Sequence, residues 1–164
     1  MPVQPLLGLL SEEDTSALAV HLPRLQDRLD HLKSAFPSQV QHAVAIKTNP
    51  HPKMLAHLVE AGVGLEAASM EEVERAREAG CPEHLIVFDS PVKTRKEIQA
   101  VSVAEGMLVN VNSLEELTRY PNDVACTLGI RINPQVDTGA PEIFDVSKNE
   151  SKFGVGIAHR EAII

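Results

Sequence analysis

From His42 onward, short runs of apolar and β-branched residues alternate with longer stretches whose apolar positions recur three and four apart. A run of the first kind suits a buried strand and a stretch of the second an amphipathic helix, so the pattern predicts repeated βα units. The runs are His42–Lys47, Gly64–Ser69, His84–Asp89, Met107–Val111 and Cys126–Ile132. They recur about every 20 to 25 residues, the spacing of a parallel sheet wrapped by helices.

The junctions carry helix-start punctuation. After the first run, Asn49 can cap a helix and Pro50 suits its first turn; Met54, Leu55, Leu58 and Val59 then share a face that stops at Gly62. Ser69 and Glu72 form a predicted capping box, repeated by Ser113 and Glu116. The second helix should end at Ala79-Gly80, and another should run from near Thr94 to Ala104. Upstream, Leu18, Leu22, Leu25, Leu29 and Leu32 form a helical stripe expected to pack outside the sheet, with Pro23 marking the start of its main helix. Downstream, Gln135 to Ser151 is polar and aperiodic, which predicts a long loop of the kind that is often functional. The expected organisation is a helical segment over 1–41 and the first part of a β/α barrel over 42–164. Periodicity alone fits an open doubly wound sheet equally well.

Composition narrows the function. A chain of 164 residues with a formal charge of -8, four Phe, one Tyr, no Trp and no basic cluster argues against nucleic-acid or anionic-membrane surfaces. The apolar start has no basic flank and soon meets Ser11-Glu12-Glu13-Asp14, so neither a signal peptide nor a membrane span is expected and the reading is cytoplasmic. Cys81 and Cys126 lack disulfide-framework or CxxC spacing, and the seven histidines show no HxH or HExxH pattern, so no metal site is expected. Gly62-Val-Gly64 and Gly154-Val-Gly156 are too short for a dinucleotide fingerprint, and no Walker-type phosphate loop occurs.

The candidate chemistry begins at Lys47. It ends the first run, at the sheet edge where parallel α/β folds place their sites, and a lysine there can form an imine with an aldehyde cofactor once its amine is deprotonated. Its neighbours give this residue its weight. Val44–Pro50 resembles the cofactor-lysine motif of the fold-type III pyridoxal-phosphate enzymes, specifically the diaminopimelate/ornithine decarboxylase family. Gly62–Ser69 with Glu71–Ala76, Phe88–Thr94, Asn110–Leu117, Ile130–Pro134 and Ser151–Val155 are similar to that family's later landmarks, in its order.

The resemblance, which runs from about Ala43 to Val155, implies a partial (β/α)8 TIM barrel of about five parallel strands with flanking helices. It implies pyridoxal 5'-phosphate as cofactor, Lys47 as the Schiff-base lysine, and Glu66 and Arg131 facing the cofactor pocket. The family more often has Asp at the position of Glu66. It implies an amino-acid substrate of the diaminopimelate, ornithine or lysine kind, a homodimer in the full-length form, and a role near the subunit contact for Ser151-Lys152-Phe153-Gly154. Lys93 also matches a family position, without an assigned role. The family's remaining barrel strands, phosphate-binding segment, partner to the pyridine nitrogen and C-terminal β-domain correspond to nothing in these 164 residues, so a fragment that does not complete the reaction alone is expected. The competing expectation is a non-catalytic pyridoxal-phosphate carrier or regulatory homologue.

Overall fold

Burial alternates with a period of two along Ile86–Phe88 and Leu108–Val111, as it must where side chains point to opposite faces of a pleated sheet. The computed structural model describes residues 8, 10–139, 141, 146–148 and 151–163, and divides into two units, Met1–Ser38 and Gln39–Ile164.

The first unit contains helix α1, Leu22–Ser34, with a proline in its first turn as Pro23 predicts. The His21 imidazole Nδ1 caps it by accepting the Arg24 amide at 3.0 Å. The leucine stripe is shorter than the sequence suggests: Leu18 precedes the helix and is 90% exposed, and Leu29 is the buried member.

The second unit is built on a five-stranded parallel sheet of order β1-β2-β3-β4-β5. The strands are Ala43–Ala45, Gly64–Ala67, Ile86–Phe88, Leu108–Val111 and Thr127–Ile130. Between them run α2 (Pro52–Glu60), α3 (Met70–Glu78), α4 (Arg95–Ser102) and the single turn α5 (Leu114–Leu117). In-register neighbours share a face. Leu65 with Ile86, and Ala67 with Phe88 and Val109, belong to one face, which is buried where α2, α3 and α5 pack against it. Ala45, Glu66, Val87 and Leu108 are in register on the other face and are only half-buried. Asn110 lies on this second face as well. A Cβ on its neighbour Gly129 would stand 2.7 Å from the Asn110 Oδ1, so glycine there leaves room for the amide.

Several boundaries differ from expectation for local reasons. Lys47 lies in a 3-10 turn, Ile46–Thr48, closed by the Thr48 hydroxyl donating to the Ala45 carbonyl (2.7 Å) and the Asn49 amide to that of Ile46 (3.0 Å). The α2 cap falls two residues later than predicted, at His51 with Pro52 in the first turn, while Asn49 Oδ1 instead accepts the His51 amide. Glu83–Leu85 forms a 3-10 turn, so the third strand starts at Ile86.

Neither predicted capping box closes fully. Ser69 and Ser113 do accept the amides of Glu72 and Glu116, but those carboxylates reach one residue further back, to the amides of Ala68 and Asn112. The complete box is Thr94 with Glu97, starting α4. The fifth run breaks at Arg131. Beyond it Ile132–Asn133 (β6) pairs in parallel with Val155–Gly156 (β7) in a separate two-stranded sheet. Past β7 the chain forms 3-10 turns over Ile157–Ala162. Part of the Gln135–Ser151 loop lies outside the described residues.

Candidate active site

The C-terminal ends of the strands gather the charged side chains. Lys47 follows β1, Glu66 is the penultimate residue of β2, Asp89 directly follows β3 and Arg131 directly follows β5. The backbone continues the ladder at this rim, since the Asp89 amide donates to the Ala67 carbonyl (2.9 Å) and that of Arg131 to Val111 (2.9 Å).

Lys47 is exposed, and its ammonium makes no hydrogen bond or ion pair among the described residues. Glu66 is half-buried. Burial pushes its carboxyl above the ordinary range, the positive charge of Lys47 opposes this, Asp89 and Glu72 reinforce it and Arg131 opposes it. All three predicted site residues, Lys47, Glu66 and Arg131, therefore share one electrostatic neighbourhood.

Arg131 is held on two sides. Its Nη1 donates to Asp89 Oδ2 at 3.0 Å, and its guanidinium carbon lies 4.6 Å from the centre of the Phe153 ring. Asp89 carried no role in the sequence reading. The available signal was its position, since it follows its strand directly, as Arg131 does.

Lys93 has the opposite character. It is 3% exposed, and its ammonium contacts the Ser90 carbonyl (2.7 Å), the Asn110 carbonyl (2.7 Å) and Glu116 Oε1 (3.0 Å). Tyr120 donates to the same Glu116 oxygen at 3.3 Å; burial and that carboxylate push its phenol far above the usual value. A groove of about 670 Å³ between α2 and α3 is lined by Pro50, Pro52, Lys53, Glu71 and Arg75 among others, and by none of Lys47, Glu66, Asp89 and Arg131. Among the described residues no His, Cys, Asp and Glu side chains cluster as a metal site, and no helix is long and apolar enough to cross a membrane. Cys81 and Cys126 are free and buried, and burial raises both thiols.

A parallel sheet wrapped by helices, with a lysine, two carboxyls and an arginine at the C-terminal ends of its strands, has the layout of a β/α-barrel ligand-binding domain. The chain belongs to the pyridoxal-dependent decarboxylase family: the profile of that family's pyridoxal binding domain matches residues 22–164.

Diaminopimelate decarboxylase of Aquifex aeolicus is 34% identical over 144 residues, covering 84% of this chain and 33% of the relative. That of Campylobacter jejuni is 29% identical over 156 residues, covering 91% and 39%. The crystal structure of diaminopimelate decarboxylase from Helicobacter pylori complexed with L-lysine superposes with a TM-score of 0.69 at 28% identity, covering 84% of this chain and 37% of that one. The chain thus spans between 33% and 39% of the length of these proteins, and its five strands form part of a decarboxylase barrel, as the sequence predicts.

The cofactor of this domain is pyridoxal 5'-phosphate. The donor set at the strand ends suits it chemically: an amine without a partner matches an aldehyde, and a carboxyl and a guanidinium match a polar aromatic ring.

Proposed function

We propose that this chain supplies the cofactor-holding part of a pyridoxal-phosphate-dependent decarboxylase of amino acids, with Lys47 carrying the cofactor on its ε-amine. The observation that carries the reading is the contrast at the strand ends: Lys47 is exposed and without a partner among the described residues, and its charge acts on Glu66, whose carboxyl also feels the charge of Arg131. When bound, the cofactor supplies an electron sink for the pair left behind as the substrate carboxylate departs as carbon dioxide.

The chain's own residues prepare that chemistry. The Lys47 amine becomes a nucleophile on losing its proton to solvent, and the partly buried Glu66 carboxyl, raised above its ordinary range by burial, feels the charge of that ammonium. Glu66 and Arg131 face the cofactor in this reading, and Asp89 fixes the edge of Arg131. The substrate class is a diamino acid such as diaminopimelate, supported by the relatives. The complete reaction takes place together with segments corresponding to the rest of those relatives, in a homodimer whose contact includes Ser151–Gly154.

The test is to incubate the chain with pyridoxal phosphate, reduce with borohydride and map the modified peptides by mass. The expected product is a pyridoxyl group concentrated on Lys47 and lost in Lys47→Ala. Equal labelling of exposed lysines would remove the proposed site. Labelling of Lys47 in a protein that decarboxylates no diamino acid, even together with segments corresponding to the rest of the relatives, would leave the carrier reading instead.

A further inference from the structure

Asn112 sits just past the end of β4, 9% exposed, and both ends of its carboxamide are used on one tripeptide. Nδ2 donates to the Lys152 carbonyl at 2.8 Å, and Oδ1 accepts the Gly154 amide at 2.8 Å. The residue between is Phe153, whose ring faces the Arg131 guanidinium. We propose that Asn112 is a positioning residue: its amide clamps Lys152-Phe153-Gly154 so that the Phe153 ring fixes the plane of Arg131 at the cofactor site. The consequence for the cofactor rests on the function proposed above.

The clamp is anchored below and closed above. Below, the Asn112 backbone N–H donates to Glu116 Oε2 at 3.0 Å, while the other Glu116 oxygen meets the buried Lys93 ammonium at 3.0 Å. A buried, paired carboxylate has one low-energy place to be, so Asn112 inherits its rigidity. Above, the Val155 amide donates to the Arg131 carbonyl at 2.7 Å. Gly154 adopts φ 78°, and a Cβ there would stand 2.8 Å from the Arg131 carbonyl oxygen and 2.9 Å from the Asn133 nitrogen. The tripeptide is thereby pressed onto the backbone of the arginine it positions.

Once Phe153 is fixed, Arg131 is restrained by two contacts, the Phe153 ring at its guanidinium carbon and the Asp89 carboxylate at its Nη1. Asparagine suits this task because one donor and one acceptor are needed. Aspartate has the same shape but only acceptors at neutral pH, and it would set a carboxylate against the Lys152 carbonyl.

The test has a readout that does not depend on the cofactor. In 15N-labelled protein the Arg131 Nε–H resonance is displaced by the ring current of Phe153, and Phe153→Leu defines its undisplaced position. Asn112→Ala and Asn112→Asp are expected to move the resonance toward that position, whereas Val101→Ala, which loosens the buried face of α4, is expected to lower the melting temperature without moving it. Pyridoxal-phosphate binding should weaken about two- to fivefold in Asn112→Ala, the factor that losing one cation–π contact corresponds to. The double variant with Phe153→Leu should bind no more weakly than either single variant.

An unmoved Arg131 resonance in both Asn112 variants, or additive losses in the double variant, would overturn the proposal. Should Asn112→Ala fail to fold, the shape-conserving Asn112→Asp decides alone. If the wild-type chain binds no pyridoxal phosphate, the function proposed above fails, while the resonance still decides whether Asn112 positions Arg131.

Discussion

Lys47 and Lys93 follow strands of the same sheet at the same end, and their surroundings differ in every respect that governs lysine chemistry. Lys93 lies in a buried site, with three oxygens for its three N–H donors. Its nitrogen lone pair is unavailable to any electrophile, and its charge ties the ends of β3 and β4 to α5. Lys47 stands in a one-turn 3-10 helix, exposed and without a partner among the described residues. A buried lysine must be paired, because an uncompensated ammonium in a low-dielectric interior is costly. A lysine meant to react must escape such pairing. Two positions on the sheet's rim, one after edge strand β1 and one after central strand β3, divide the work: one lysine holds the scaffold while the other is left available.

The largest effect that tests this contrast is on stability. Lys93→Ala leaves Glu116 buried and short of a charge, and about 3–5 kcal/mol should be lost in urea unfolding. Lys47→Ala removes an exposed side chain without ion pairs and should change stability by about 0.5 kcal/mol at most. A Lys47 variant as unstable as the Lys93 variant would erase the distinction.

A smaller effect is expected at Gly154, where the clamp meets β6. Gly154→Ala places a side chain in the left-handed region, which costs roughly 1–2 kcal/mol, and adds the contact with the Arg131 carbonyl. Faster amide exchange at Val155 should accompany it, because the Val155 amide is bonded to that carbonyl. A protein with unchanged exchange there would show that β6 and β7 do not depend on this glycine.

Most of the scaffold could be read from the chain because apolar runs and helix-start residues are local signals. All five parallel strands fall within their predicted runs, and α2 and α3 end where Gly62 and Gly80 turn the backbone at positive φ. Ser69 and Ser113 start their helices as predicted, but their capping boxes stay open because a side chain chose a partner one residue away. Glu72 and Glu116 bond the amides before their serines, a choice no S-x-x-E pattern records. The pairing of β6 with β7 was hidden for another reason: it joins residues on either side of a polar loop, and two-residue strands carry no periodicity.

At the site, Lys47, Glu66 and Arg131 were visible as residues, while their shared field was not. Asp89 and Asn112 went unassigned because their partners, Arg131 and Gly154, both lie 42 residues further along the chain. The sequence set Lys47 apart from Lys93 by motif alone, giving the second no role; its burial among three oxygens is a matter of packing that the motif does not record.

The finest test of the contrast asks whether Lys47 has a counter-ion at all, and Glu66 is the candidate. Burial, the largest influence on Glu66, raises its carboxyl above the ordinary 4.5. The folded state then holds the proton more tightly than the unfolded chain. The stabilisation from the protonated carboxyl is fully present below the unfolded value and is lost as pH rises through the folded one. Glu66→Gln is neutral throughout and escapes that loss, so its stability relative to wild type should rise from about pH 4 to about pH 7 in paired urea titrations. The opposite trend, with the glutamine variant falling behind at neutral pH, would mean that attraction to Lys47 and Arg131 outweighs burial. Lys47 would then be a paired lysine like Lys93, differing from it only in exposure.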